Sequence, residues 1–238
     1  MAGERIQTFE TAAALAAAAG ARVLESGRDA LRRHGRFLFA LSGGRTPAAT
    51  FAWLVASRAT AGEEFDWART HVYFADERAV PPDDPDSNFR AARERLIDPL
   101  HLPPRQIHRM KGEYADLAAA AEEYEARLPG ALDLVLLGIG EDGHVASLFP
   151  RGAAVAERER RVLPVLDAPK PPPRRLTLTP RALAEARGVL VLATGSAKAA
   201  AVDAALAGEI SANEVPARLV RDREWMLDAE AAAALGRR

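Results

Sequence analysis

The chain has 238 residues, 48% hydrophobic and 27% charged, and its 32 Lys and Arg nearly balance 33 Asp and Glu for a formal net charge of −1. This is an ordinary globular composition with enough apolar material for a core, and it offers no broad basic field for nucleic acid. There is no Cys, which removes disulfides, thiolate nucleophiles and thiolate-ligated metals, and no apolar run approaches the ~20 residues needed to span a bilayer.

Residues 11–33 are Ala-rich with spaced charges and read as a helix. RFLFALS (36–42) is a short apolar run, the pattern of a buried strand. After GGRTP a helix is expected over residues 48–59, with Thr46 as its N-cap and Pro47 at its first position. HVYFA (71–75) reads as a second buried strand. The polar loop DERAVPPDDPDSN follows, then a helix over 89–97 and another over 114–128. LDLVLLGIG (132–140) is the clearest strand, and its unbroken apolar character implies cover on both faces, as in a parallel sheet. KPPPRRLTLT places a stiff proline run before a strand at 175–179, and Thr179-Pro180 opens a short helix. GVLVLATG (188–195) is a further buried strand, 196–207 a helix, PARLV (216–220) a last short strand, and 228–235 a closing helix.

Strands and helices alternate from end to end. The expected fold is α/β, a three-layer α/β/α arrangement with a mainly parallel, Rossmann-like sheet covered by helices on both faces. With no internal repeat and no break in composition, residues 1–238 are expected to form a single domain. Glu4 and Arg5 ahead of the Ala-rich stretch 12–19 make a poor signal peptide, so a cytoplasmic location is expected.

Four segments carry the polar chemistry, and three of them directly follow expected strands, where ligands bind in open α/β sheets. In LSGGRTP (41–47), Gly43 and Gly44 allow close approach of a ligand, a helix start offers free N–H groups, and Ser42 and Thr46 add hydroxyls. The same residues also suit a plain strand–turn–helix connection. In FADERAV (74–80), Arg78 is placed to contact a phosphate or carboxylate, and Asp76 either to orient it or to touch the ligand. Downstream, Asn88 offers a neutral amide, while Asp86 and Ser87 read as caps of the next helix. In GIGEDGHVASLFP (138–150), His144 ends a Gly-rich turn, and Asp142 either orients its imidazole or acts separately on the substrate. The fourth is basic: Arg174 and Arg175 enter a strand after three prolines, and Lys198 lies near a helix start, where it opposes the helix dipole and gains from an anion. No HxH or HxxxH spacing marks a metal site and no GxSxG elbow marks a serine hydrolase.

Taken in order, LSGGRTP, YFADERAVPPDDPDSNF, LVLLGIGEDGHVASLFP, PPPRRLTLTP and VLATGSAKA resemble the 6-phosphogluconolactonase family, over most of the chain from Leu41 to about Ala207. The resemblance implies a three-layer α/β fold and hydrolysis of 6-phosphogluconolactone to 6-phosphogluconate, with no cofactor. It implies a small sugar-phosphate lactone as partner, with neither nucleic acid nor membrane, and a monomer or small homo-oligomer. The related glucosamine-6-phosphate deaminases carry a functional Glu after the GHxA stretch, where this chain has Phe149, and tend to read DEY where it has DER. Both departures favour lactone hydrolysis over amine chemistry. The implied roles are His144 as general base, Arg78 at the oxyanion or the substrate's hydroxyls and phosphate, and Gly43, Gly44, Thr46, Arg175 and Lys198 at the phosphate.

Overall fold

The computed structural model describes residues 5–58, 65–207 and 209–236. An edge strand, β1 (Ile6–Phe9), opens the described chain. Its half-exposed alternation in four residues left no apolar run to read. Helix α1 (Ala12–His34) follows; the Thr11 hydroxyl accepts from Ala14 N–H, and Gly35 in a left-handed conformation (φ 77°) returns its N–H to Leu31.

The fully buried strand β2 (Phe37–Leu41) leads into α2 (Arg45–Arg58). The helix begins before Thr46, so Thr46 is not the N-cap: it sits in the first turn, and its hydroxyl meets that of Thr194 at 2.7 Å. The expected helix end at Ala59 lies outside the described residues. Strand β3 (Thr70–Phe74) is followed at once by a three-residue strand, β4 (Asp76–Arg78), in what reads as polar loop. Ser87 caps α3 (Asn88–Ala92), and the chain coils on through Arg93–Ile97. Asp116 caps α4 (Leu117–Arg127) with bonds from Ala118 and Ala119 N–H.

Strand β5 (Leu134–Gly138) is buried except at its last residue. Then come β6 (Val162–Val165), β7 (Arg175–Leu178) and α5 (Pro180–Glu185), which Thr179 caps. Strand β8 (Val189–Ala193) is wholly buried, and a tight turn at Ser196–Lys198 precedes α6 (Ala199–Leu206). Residues Pro216–Val220 form a 3₁₀ turn, not the expected strand. Pro216 suits the first turn of a helix, and the local bond Arg218 N–H to Val215 O replaces any ladder. The last strand is β9 (Glu224–Asp228). The expected closing helix is absent: residues 229–236 are hydrogen-bonded turns, pulled in where Asp228 accepts from Ala231 N–H.

Six strands form one all-parallel sheet in the order β1-β9-β8-β5-β2-β3. Burial of both faces explains the continuous Phe, Leu and Val of β2, β5 and β8. The chain steps outward from β1 to β2 to β3, then returns through β5, β8 and β9. Helices α1 and α2 pack on each other, and α2 also packs on α3 and on the coil Arg93–Ile97 that continues it. The direction reverses between β2 and β5, and that switch point opens a crevice at the carboxyl edge of the sheet. A second sheet, antiparallel β4-β7-β6, stands beside it. It branches off where Ala75 N–H donates to Leu41 and Leu178 N–H to Ala75. No helix among the described residues is long and apolar enough to cross a membrane.

Candidate active site

A cavity of about 320 Å³ occupies this crevice. Ser42, Gly43, Gly44, Thr46, Asp76, Arg78, Asn88, His144, Arg175 and Lys198, singled out from the sequence, all line it; Arg174 and Asp142 do not, and Asp142 stands directly behind His144.

The turn after β5 is built around His144. Gly140 N–H donates to His144 O at 2.8 Å and Gly143 N–H to Gly140 O at 3.0 Å, with Gly143 at φ 80°. Gly140 lies so close that a methyl there would collide with the His144 ring and the Asp142 carboxylate. His144 Nδ1 lies 2.5 Å from Asp142 Oδ1. Burial opposes ionisation of Asp142, but the His144 hydrogen bond and the charges of His144 and Lys170 outweigh it and hold the carboxyl below its ordinary range. A carboxylate accepts only, so Nδ1 carries the proton, and in the neutral ring Nε2 is the nitrogen that keeps the lone pair. Behind the imidazole lies buried Phe149, with centroids 4.6 Å apart. Arg175 sits over the same phenyl ring, its guanidinium carbon 5.3 Å from the centroid.

After β2, Ser42, Gly43 and Gly44 bring the backbone to the cavity at the start of α2. Gly43 packs against the Asn88 amide so tightly that no side chain would fit. Gly44 has φ 106° and turns the chain into the helix. The Ser42 hydroxyl is buried on the cavity wall and finds no partner among the described residues. A helix start, free N–H groups and an unpaired hydroxyl together form an anion-binding corner.

The second sheet supplies the guanidinium groups. Arg78 and Arg175 stand directly opposite each other across the β4–β7 ladder, where like charges repel unless an anion lies between them. Arg175 is only 5% exposed. It donates to the carbonyls of Pro172 (3.0 Å), Lys170 (3.1 Å) and Pro171 (3.2 Å) and lies 4.0 Å from Asp76. Burial lowers its pKa, the Asp76 charge opposes this, and the nearby Arg78 charge adds to it. Arg174 points away, exposed, and donates to Ala115 O. Arg78 donates to Asp86 O at 2.6 Å and keeps a buried Nε with no partner among the described residues.

Asp76 is buried and held by the Asn88 amide (3.1 Å) and the Ser147 hydroxyl (2.8 Å). Glu77, to which the sequence reading assigned nothing, is the scaffold of this corner. Its carboxylate accepts from the N–H groups of Arg78, Asn88 and Phe89 and from the Ser87 hydroxyl, and burial pushes it up to about 7 against the pull of those three backbone donors.

Lys198 enters from the turn before α6, with Nζ 3.8 Å from Glu141. Burial lowers its pKa, with Glu141 and Asp142 opposing and Lys170 and Arg45 adding to the effect. The N–H groups of Gly195 and Ser196 are already taken by Asp228 and Glu230, and what this turn brings to the cavity is the Lys198 side chain. Three lining residues with polar or charged side chains have no role in the sequence analysis: Arg45, Thr194 and Lys170. Arg45 follows SGG directly, and Lys170 lies in KPPP, where the prolines read as a spacer.

Arg45, Arg78, Lys170, Arg175 and Lys198 face the cavity with Asp76 as its only lining carboxylate among the described residues. An excess of positive charge beside an imidazole, at the carboxyl edge of a parallel sheet, defines an α/β enzyme for a small anionic substrate. Residues 10–228 match the family of glucosamine-6-phosphate isomerases/6-phosphogluconolactonase, and the chain belongs to it. A 6-phosphogluconolactonase of Mycobacterium leprae (strain TN) is 40% identical over 244 residues, covering 96% of this chain and 97% of that protein. The solved 6-phosphogluconolactonase of Trypanosoma brucei is 31% identical, with a TM-score of 0.82 over 97% of this chain and 98% of its own. A monomeric glucosamine-6-phosphate deaminase shares the fold, with a TM-score of 0.85 at 23% identity over 97% of this chain and 100% of its own.

Proposed function

We propose that this protein hydrolyses 6-phospho-D-glucono-1,5-lactone to 6-phospho-D-gluconate, the lactone-opening step of the oxidative pentose phosphate pathway, in the cytoplasm. The observation that carries the proposal is the His144–Asp142 hydrogen bond at 2.5 Å, which commits Nδ1 and leaves Nε2 basic at the cavity wall. The 6-phosphogluconolactonases at up to 40% identity over nearly the whole chain support the choice of substrate. Phe149 supports it as well, since it presents hydrocarbon to His144 where amine chemistry needs a carboxylate.

A lactone carbonyl is already electrophilic, so the enzyme needs an activated water and a site for the developing charge. His144 Nε2 takes a proton from water as the water oxygen bonds to C1. Arg78 faces the oxyanion that forms, and its unpartnered Nε is the free donor. When the C1–ring oxygen bond breaks, the imidazolium returns its proton to the departing oxygen, and the new carboxylic acid ionises into solution. Asp142 holds the ring and balances the transient imidazolium. The phosphate lies against Ser42, Gly43, Gly44 and Thr46 with Arg175 and Lys198, while Asp76 and Asn88 line the sugar. No step draws on a cofactor. Acid release from freshly prepared lactone, corrected for spontaneous hydrolysis, tests the assignment. The expected result is enzyme-dependent lactone opening with no ammonia from glucosamine 6-phosphate; ammonia release without lactone opening overturns it.

A further inference from the structure

Lys170 lies in the loop between β6 and β7, its side chain 43% exposed at the mouth of the cavity. The loop is pinned: Arg175 donates to the carbonyls of Lys170, Pro171 and Pro172, and Ala168 N–H donates to Pro173 O at 2.8 Å. The ammonium Nζ stands 3.2 Å from Asp142 Oδ1, the same oxygen that meets His144 Nδ1 at 2.5 Å. Among the described residues no other cation comes within ion-pair distance of Asp142, and Lys170 has no other carboxylate partner.

We propose that Lys170 is a positioning residue which, through the carboxylate it shares with His144, sets the lower pH limit of catalysis. This rests on the reading of His144 as base. With the imidazole neutral, Asp142 and Lys170 balance. Protonation of His144 places a second cation on the same carboxylate oxygen, and the ammonium resists it. Lys170 therefore keeps the imidazole available as a base further into acid, and it makes the imidazolium a readier donor to the departing ring oxygen. The other charged groups around the pair are Glu141 on the same turn, Lys198 and Arg45 at the starts of α6 and α2, Arg175 in β7, and Asp76 and Arg78 in β4. None of these touches Asp142, so they are common to the wild type and the Lys170 variants.

The test is the pH profile of kcat/KM for 6-phosphogluconolactone between about pH 5 and 8, the range in which an imidazole changes charge. Wild type, Lys170→Met, Lys170→Arg and His144→Ala are compared, with circular dichroism to verify folding. In Lys170→Met the acid limb moves to higher pH by about half a unit to one unit, the size expected of one solvent-screened charge. In Lys170→Arg, which keeps the charge, the limb stays with wild type. A Lys170→Met limb that coincides with wild type overturns the inference whatever happens to its height, as does an equal shift in Lys170→Arg. His144→Ala separates the two readings. A profile that keeps its limb and height without His144 removes the base assignment; loss of turnover there with an unmoved Lys170→Met limb removes only the role of Lys170.

Discussion

Asp142 holds His144 by Nδ1 at 2.5 Å from a position outside the cavity wall. Of the two roles open to Asp142 in the sequence, this contact supports the first, and we propose that Asp142 orients the imidazole. Asp142→Asn preserves the shape but can present an amide N–H to Nδ1, which turns the ring's lone pair away from the water. We expect kcat to fall by roughly 10²-fold or more, within the range for positioned acid–base help, with KM little changed. Steady-state kinetics on fresh lactone checks this.

The same carboxylate carries a stability signature. Its pKa in the folded protein lies below the ordinary value of 3.8, so the stability it contributes is present above that pH and is lost as pH falls through the lower, folded value. Urea midpoints of wild type and Asp142→Asn should differ by a constant amount near neutrality and converge below pH 3.8. A gap that stays constant into acid would show that the charge of Asp142 adds nothing to stability.

Phe149 is 3% exposed, with the His144 ring against it and the Arg175 guanidinium over it. Phe149→Ala removes the surface on which both rest and leaves a cavity. The expected cost is about 3–5 kcal/mol by equilibrium unfolding, with turnover falling further than a simple loss of folded protein explains.

Lys198 is assigned to the phosphate, away from the reacting carbon. Lys198→Met should raise KM about 10-fold to 100-fold, the equivalent of one charge-assisted hydrogen bond, with a much smaller change in kcat. Rates with gluconolactone lacking the phosphate should not change between the two proteins.

Much of this was readable because buried parallel strands are continuously apolar: β2, β3, β5 and β8 stand out as runs in the sequence. The strands that escaped notice had no such run. Ile6–Phe9 is a half-exposed edge, Asp76–Arg78 is three charged residues, Val162–Val165 is short with a proline in it, and Glu224–Asp228 has acidic ends. Conversely, PARLV has the apolar look of a strand, but Pro216 starts a 3₁₀ turn. The site was legible wherever a motif follows a strand, as at Ser42–Gly44 and His144. Contacts between distant segments were not: the Arg78–Arg175 register, the Glu77 scaffold and the approach of Lys170 to Asp142 depend on a second sheet in which β7 alternates visibly but its partners β4 and β6 carry no periodic signal.

The most direct test of the account is kcat/KM of His144→Ala on freshly prepared 6-phosphogluconolactone, corrected for spontaneous opening and paired with binding of 6-phosphogluconate. The predicted result is a loss of roughly 10²–10⁴-fold in rate with the fold and product binding retained. Near-wild-type kinetics in that variant would contradict the assignment of His144 as the base.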